Sequence, residues 1–132
     1  MSDSVFQAEG EHGIWVIKKA ATLPISAYEP EIFEGGKLGE LLIIRRDAHF
    51  AGIWACTREQ ADDRFNDGPI EYTLSGNETQ TILEGSVTIE AADAEPVTLV
   101  AGDMIDFKAG TVTKWYIHDF VKAAFTISRL PK

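Results

Sequence analysis

Apolar residues come in short runs from residue 39 onward, and glycine or charged residues interrupt them. Leu41–Ile44 and Ile53–Cys56 are two compact runs of this kind, and each is typical of a buried strand. No stretch in this part of the chain repeats its apolar residues with the period of about 3.6 that an amphipathic helix requires. The pattern therefore predicts an all-β domain, either a sandwich or a barrel.

Turn residues divide the second half of the chain into segments of roughly ten residues, a spacing typical of small β folds. Glycine supplies a turn without steric cost, so we expect chain reversals at Glu84-Gly85, at Ala101–Asp103 and at Ala109-Gly110, and another at His118-Asp119. The strands predicted around them cover residues 79–83, 86–90, 96–100, 104–107, 112–117 and 121–127. Residues 57–68 are polar and lack strand alternation, which predicts a surface loop with solvated acids.

The first 37 residues are less regular. Gly13–Lys18 is typical of one more strand, and residues 34–37 are typical of a turn. We therefore predict two parts, an N-terminal extension with added strands at residues 1–37 and a barrel at residues 38–132. Because residues 13–32 exceed what the barrel needs, we also expect a homodimer in which each copy lends a strand to the other.

Composition and charge exclude several classes of protein. An apolar share of 45% with 25% charged residues is ordinary for one soluble globular domain, and no apolar run is long enough to cross a membrane as a helix. The net charge of −9 would repel the phosphate backbone of a nucleic acid. The N-terminus lacks the basic and apolar segments of a secretory signal, so we expect a cytoplasmic protein with no nucleic-acid or membrane partner. Cys56 is the single cysteine, and its apolar neighbours predict a small buried residue that forms no intrachain disulfide.

Two glycine-containing segments carry a resemblance to a known family. In the first, Glu78 is followed by six residues and Gly85. In the second, Gly102 is followed by seven residues and Gly110, with an acid directly after Gly102. Together they resemble the two motifs of the cupins. The resemblance covers residues 38–127 and implies a single cupin jelly-roll barrel, a double-stranded β-helix with a central pocket.

The chain is also similar to one sub-family of the cupins. Trp54-x-Cys56 lies upstream of the motifs, and Lys114-Trp115 and Phe120–Lys122 lie downstream. These positions resemble the sub-family that contains (S)-ureidoglycine aminohydrolase. This resemblance implies a hydrolase or lyase that acts on a small nitrogenous or carboxylated metabolite. In that sub-family, the release of ammonia from (S)-ureidoglycine depends on a bound manganese ion.

Strand alternation selects the first candidate for the site. Glu78, Gln80 and Ile82 share one face of their strand, and the resemblance to cupins implies that this face is the interior. A carboxylate inside a barrel is costly unless it is paired, hydrogen-bonded or bound to a metal. Glu78 is therefore the residue whose role needs explaining first.

The histidines of metal-binding cupins are missing here. The resemblance implies a His-x-His pair three or four residues before the glutamate and a third histidine three residues after the last glycine. This chain has Tyr72 and Leu74, or Glu71 and Thr73, at the pair, and Thr113 at the third position. Because a transition metal needs several strong ligands, we predict no resident cofactor. The histidines that are present, which we expect on the surface or in turns, are His12, His49 and His118.

The inward register of residues 71–74 is open at this point. If Glu71 and Thr73 face inward, the interior offers only oxygen ligands, and Glu71 with Glu78 would suit weakly bound manganese or magnesium. If Tyr72 and Leu74 face inward, the interior is a pocket with apolar walls. In that second register Tyr72 and Glu78 would act as a general acid and base.

We favour the second register, which predicts one concave site. Its predicted lining is Trp54, Tyr72, Glu78, Gln80, Thr113 and Trp115. The alternative is that Tyr72 and Trp115 are core aromatics and that hydrogen bonds alone satisfy Glu78. We predict a small-molecule-binding cupin that has lost its metal chemistry. The alternative function is a metal-dependent aminohydrolase or lyase similar to ureidoglycine aminohydrolase.

Overall fold

The computed structural model describes residues 6–9, 13–62, 65 and 68–128, and His12 lies outside these ranges. Within them the chain forms ten β-strands joined by short 3₁₀ turns and loops. The strands are β1 (Phe6–Glu9), β2 (Trp15–Ile17), β3 (Glu29–Phe33), β4 (Gly36–Arg46), β5 (His49–Thr57), β6 (Ile70–Thr73), β7 (Asn77–Ala91), β8 (Val97–Val100), β9 (Met104–Phe107) and β10 (Val112–Ser128). The predicted all-β class is confirmed.

β7 and β10 are the two long strands around which the main sheet folds. The first part of β10, residues 112–117, pairs with β6 and with the end of β7. Its second part, residues 120–128, pairs with β5 and with the start of β7. The order of the sheet is β3-β4-β5-β10-β7-β8, with β6 added to β10 and β9 added to β7. Every ladder is antiparallel, and the folded sheet is the predicted single cupin barrel.

Two predicted chain reversals, at Glu84-Gly85 and at His118-Asp119, are wrong. β7 continues through Gly85 and β10 continues through His118, and the ladder between the two strands shifts its register at this crossing. Gly85 has a φ of 79°, and a Cβ at this position would collide with the carbonyl oxygen of Phe120. Glycine is needed because the backbone of β10 passes too close for a side chain. The predicted reversal at Ala109-Gly110 is confirmed, since this turn joins β9 to β10.

The N-terminal extension contributes a strand to the barrel. β3 pairs with β4 at the edge of the main sheet, whereas β1 and β2 form a separate two-stranded sheet. The predicted boundary after residue 37 therefore falls inside β4. Between β2 and β3 the chain packs on the outer face of the sheet. There a second group of buried apolar residues, the outer cluster, consists of Ile17, Tyr28, Leu42, Ile53 and Ala55.

The main apolar cluster fills the interior of the barrel. Cys56, which is 1% exposed, belongs to it and lies on the opposite face of β5 from the outer cluster. Residues 57–68 are more than the predicted surface loop, because Ala61 and Phe65 are buried in this cluster. The ring of Phe65 packs against that of Phe33, with 5.8 Å between their centroids. In the described ranges, no helix is long and apolar enough to cross a membrane.

Candidate functional site

A cavity of about 290 Å³, the barrel cavity, lies inside the fold. β3, β4, β5, β6, β7 and β10 all contribute to its wall. The apolar part of the lining is formed by Phe33, Leu38, Leu41, Phe50, Ile70, Phe125 and Ile127. This volume is at the lower end of the range typical of small-molecule sites, about 300 Å³ and above.

Glu78 lies in the wall on β7, where alternation turns it inward together with Gln80 and Ile82. It is 4% exposed. The hydroxyl of Tyr72 donates to its Oε1 at 3.1 Å, and Nε2 of Gln80 donates to its Oε2 at 2.6 Å. Burial raises the pKa of Glu78, and these two hydrogen bonds partly offset the rise.

Gln80 lines the same cavity and is 5% exposed. Its Nε2 is engaged by Glu78, whereas its Oε1 has no hydrogen-bond partner in the described part of the chain. An ionised carboxylate only accepts hydrogen bonds, so Nε2 is the atom that faces an ionised Glu78. Oε1 is itself buried and has no partner among the described residues.

The cavity contains a second acid, Glu31, that the sequence did not indicate. It comes from β3, and Nε1 of Trp54 donates to its Oε1 at 2.7 Å. Burial raises the pKa of Glu31 to about 7; the bond from Trp54 lowers it, and the charge of Glu78 raises it further. The apolar residues of β3 point to both faces, because Phe33 borders the cavity on the same face as Glu31, whereas Ile32 is 64% exposed on the other face. The pattern of apolar residues therefore gave no signal for Glu31.

Three aromatic side chains form one side of the cavity. The rings of Trp54 and Trp115 are nearly perpendicular, with centroids 5.7 Å apart. The ring of Tyr72 lies 6.4 Å from that of Trp115. Edge-to-face pairs at such distances are a stable arrangement for aromatic rings. These contacts hold the three rings against one another.

Thr113 lies behind this wall rather than in it, so its predicted place in the lining is wrong. It is 1% exposed and does not border the cavity. Its hydroxyl donates to the carbonyl oxygen of Tyr72 at 2.7 Å and accepts from Nε1 of Trp115 at 2.8 Å. Thr113 thus positions two residues of the wall. The other five residues of the predicted lining border the cavity, and they are Trp54, Tyr72, Glu78, Gln80 and Trp115.

The register with Glu71 and Thr73 inward is wrong. Both residues are exposed, whereas Tyr72 borders the cavity and Leu74 is 2% exposed. The suggested pair of Glu71 and Glu78 is not formed, because β6 turns Glu71 to the opposite face.

The residues at the histidine positions of metal-binding cupins do not fit a transition metal. Leu74 has no ligand atom, and the hydroxyl of Thr113 is engaged on both sides. Within the ranges described, no group of three or more histidine, cysteine or acidic side chains is placed to hold a metal ion. His49 is exposed at the start of β5, and the ring nitrogens of His118 in β10 contact the hydroxyls of Ser86 and Thr88.

The sequence of residues 46–125 matches the EutQ-like cupin domain. This match spans more than half of the 132 residues. The chain belongs to the EutQ-like cupin family. No curated protein is significantly similar to this cupin in sequence.

Solved structures agree with this cupin fold along most of the chain. The EutQ protein of Clostridium difficile is 14% identical with a TM-score of 0.67, and the match covers 97% of this chain and 98% of that one. A putative ethanolamine utilization protein Q of Salmonella typhimurium LT2 is 18% identical with a TM-score of 0.68, covering 96% and 95%. A cupin superfamily protein of Desulfitobacterium hafniense DCB-2 is 14% identical with a TM-score of 0.58, covering 87% and 91%. At these identities the likeness shows the fold alone.

The predicted membership of the cupin superfamily is confirmed. The family match and the first two structures are to EutQ proteins. The finer prediction, the ureidoglycine aminohydrolase-like sub-family, stays a prediction.

Proposed function

We propose that this protein is a small-molecule-binding cupin whose ligand occupies the barrel cavity without a transition metal. The observation that carries the proposal is the pair of acids, Glu31 and Glu78, in the wall of a 290 Å³ cavity that is otherwise mostly apolar. Burial raises the pKa of each acid, so their ionised forms cost folding free energy. A purely structural core would have apolar residues at these positions. Buried acids around a cavity are therefore typical of a binding site.

The three tryptophans offer a direct test of this proposal. Trp54 and Trp115 border the cavity, whereas Trp15 lies on the outside with the guanidinium of Arg45 4.1 Å from its ring. The indole N–H signals in a ¹H–¹⁵N spectrum therefore contain two reporters and one internal control. We expect a ligand from a metabolite library to shift the signals of Trp54 and Trp115 and to leave that of Trp15 in place. A library in which every hit shifts Trp15 alone, or in which none shifts the two reporters, would contradict the proposal.

A second candidate function is catalysis by Tyr72 and Glu78. The observation that favours it is their hydrogen bond of 3.1 Å, which is within the reach needed for proton transfer. In this version the protein is an aminohydrolase or lyase similar to ureidoglycine aminohydrolase, acting on a small nitrogenous or carboxylated metabolite. Ammonia release from (S)-ureidoglycine tests it. Activity that is lost in Tyr72→Phe and unchanged in the exposed control Tyr116→Phe would favour the enzyme over the binding protein.

Metal content separates the two candidates further. We expect protein grown in metal-replete medium and dialysed without chelator to hold no stoichiometric manganese, iron, zinc or nickel. The reason is the donor set, in which Glu31 and Glu78 are the carboxylates and no histidine borders the cavity within the described residues. Near-unit occupancy by any of these four metals in elemental analysis would restore a metalloenzyme as the better proposal.

The homodimer is retained as a proposal with a revised basis. Residues 15–28 pack on their own barrel, and Nζ of Lys122 donates to the carbonyl oxygen of Ala21 at 2.6 Å. The revised basis is β3, which ends the order of the main sheet formed by the described residues and carries the exposed Ile32. Light scattering at micromolar concentration tests it, and a monomeric mass would contradict it. A cytoplasmic location also stays a prediction.

A further inference from the structure

We propose that the ligand of the barrel cavity is a small organic cation with a protonated amine, held between Glu31 and Glu78 against the aromatic wall. This inference rests on the proposed function, because it takes the cavity to be the ligand site. It adds the chemical class of the ligand. It follows from the hydrogen-bonding atoms, the charges and the aromatic rings that face the cavity.

Most side-chain donors of the wall are used within the protein, the hydroxyl of Ser75 can donate or accept, and acceptors are left over. Nε1 of Trp54 is engaged by Glu31, Nε1 of Trp115 by Thr113, and the hydroxyl of Tyr72 by Glu78. The two carboxylates keep unused lone pairs, since each carboxylate can accept about four hydrogen bonds. Oε1 of Gln80 also has no partner in the described residues, but this atom is itself buried and is not counted among the acceptors that face the cavity. An ammonium group, with donors only, complements this set.

The charges of the wall lead to the same class of ligand. Among the described residues that border the cavity there is no lysine, arginine or histidine. Neither Glu31 nor Glu78 forms a salt bridge within the described part of the chain. Buried charges in proteins are usually paired, because an unpaired one loses its hydration without compensation. A cationic ligand would supply the missing partner, whereas an anion would be repelled.

The aromatic wall favours a cation as well. The indole of tryptophan attracts cations over its face more strongly than other side chains, and the attraction grows when water is excluded. Trp54, Trp115 and Tyr72 border the same cavity as the two acids. The cavity of about 290 Å³ limits the ligand to a small molecule.

Binding of a cation should depend on pH in a defined direction. The titratable groups that face the site are Glu31 from β3, Tyr72 from β6, Glu78 from β7 and, beside Glu31, Cys56 from β5. β4 and β10 contribute only uncharged residues among those described. Burial raises the pKa of Cys56 to about 12, so the thiol stays neutral.

The acids then set the sign of the pH dependence. Because the pKa of Glu31 is about 7 in the empty site, a cation must displace its proton, and affinity should rise about tenfold from pH 6 to pH 8. An alkylammonium ion itself stays charged throughout, since amines of this kind have pKa values of about 10. A carboxylate ligand would show the opposite trend, because it would bind best to the protonated acids.

Three probes of equal chain length test the inference: n-butylammonium, 1-butanol and butyrate. Each is titrated into the full-length protein while the indole signals of Trp54, Trp115 and Trp15 are followed. We expect n-butylammonium to shift the first two signals, and to bind more tightly than 1-butanol or butyrate at pH 8. Glu31→Gln and Glu78→Gln should each weaken the binding of n-butylammonium by roughly tenfold or more, the effect of a charged hydrogen-bond partner.

Glu95→Gln is the matched control, because it removes one negative charge at an exposed position in the β7–β8 turn. It should leave the affinity unchanged. Retained signal dispersion in each variant shows that the fold is intact. If butyrate or 1-butanol binds as tightly as n-butylammonium, the proposal that the ligand is a cation is wrong. The proposal that the cavity binds a ligand would still stand. If neither these probes nor the metabolite library shifts Trp54 and Trp115, both proposals fail.

Discussion

Two regions of the molecule enclose charged groups, and they satisfy them differently. Beside the outer cluster, Lys122 is 7% exposed, its Nζ donates to the carbonyl oxygen of Ala21 at 2.6 Å, and the carboxylate of Glu84 lies 3.4 Å away. In the barrel cavity, Glu31 and Glu78 accept hydrogen bonds from neutral groups and have no cation among the described residues. The lysine is satisfied by the chain itself. The two acids border an open volume, and we propose a ligand as their partner.

Tyr28, a buried polar residue of the outer cluster, differs from the two acids of the barrel cavity because its side chain is neutral. Its hydroxyl is buried in the outer cluster and has no hydrogen-bond partner in the described ranges. Burial and the charge of Glu84 raise its pKa, so the group stays neutral. A neutral hydroxyl costs far less to bury than a carboxylate. The unsatisfied hydroxyl of Tyr28 therefore costs less than the two acids that border the barrel cavity.

The largest expected effect comes from Gly85, where β7 crosses β10 between the two regions. Gly85→Ala would place a Cβ against the carbonyl oxygen of Phe120 at a φ of 79°. We expect a loss of more than about 3 kcal/mol in the free energy of unfolding, since a steric clash adds to the backbone strain. Gly110→Ala is the control, because its φ is 88° and nothing lies within 4 Å of the added Cβ. Its loss should be about 1 to 2 kcal/mol in urea unfolding, and equal losses in the two variants would contradict the close crossing.

The next largest effect is expected from Glu31, which makes the free energy of unfolding of the ligand-free protein depend on pH. Its folded pKa of about 7 lies above the ordinary 4.5, so the native state binds more protons than the unfolded state between these values. The free energy of unfolding therefore falls as pH rises through this range, by up to about 3 kcal/mol. Glu31→Gln removes the charge and keeps an acceptor for Trp54. In urea unfolding, we expect this variant to be more stable than the wild type at pH 8 and equally stable at pH 4.5. A variant that is less stable at pH 8 would contradict the conclusion that Glu31 has no cationic partner.

Substitution of Lys122 should lower stability, in contrast to Glu31→Gln, which should raise it at pH 8. Lys122→Met keeps most of the side-chain volume and leaves the carbonyl oxygen of Ala21 without its donor. We expect a loss of about 1 to 3 kcal/mol in the free energy of unfolding. Lys114→Met, on the exposed face of β10, is the control and should change stability by less than about 0.5 kcal/mol. Unchanged stability in Lys122→Met would show that the two regions do not differ as described.

The smallest effect is expected at Thr113. Thr113→Val keeps the shape but leaves Nε1 of Trp115 and the carbonyl oxygen of Tyr72 without a partner. We expect a loss of about 1 to 2 kcal/mol and a shift of the Trp115 indole signal. The exposed control Thr73→Val should show neither change. An unshifted Trp115 signal in Thr113→Val would contradict the conclusion that Thr113 positions the indole of Trp115.

Much of the fold and part of the site could be predicted from local patterns. Alternation in β7 placed Glu78 and Gln80 inward, and the glycine spacing indicated the cupin barrel. The bend at Gly85 was predicted as a reversal, because a glycine between two apolar segments is the same local signal in both cases. Only the long-range pairing of β7 with β10 distinguishes them.

The rest of the site depends on contacts that no local pattern contains. Glu31 lies on an edge strand with one apolar residue on each face, Phe33 inward and Ile32 outward, so only the pairing of β3 with β4 decides its orientation. Phe65 comes from a polar segment and is buried because its ring packs against Phe33. Alternation predicts an inward Thr113, but its hydroxyl bonds the backbone of Tyr72 and the indole of Trp115, and the residue does not border the cavity.

The exchange of protons during binding tests the unpaired acids most directly. Titration calorimetry of n-butylammonium at pH 7, repeated in buffers with different ionisation enthalpies, measures the protons released or taken up per ligand. Because the pKa of Glu31 is about 7 when the site is empty, a bound cation should release a fraction of one proton to the buffer. In Glu31→Gln this release should be strongly reduced. Proton uptake on binding, or binding with no exchange of protons in the wild type, would contradict the proposal that a bound cation pairs with Glu31 and Glu78.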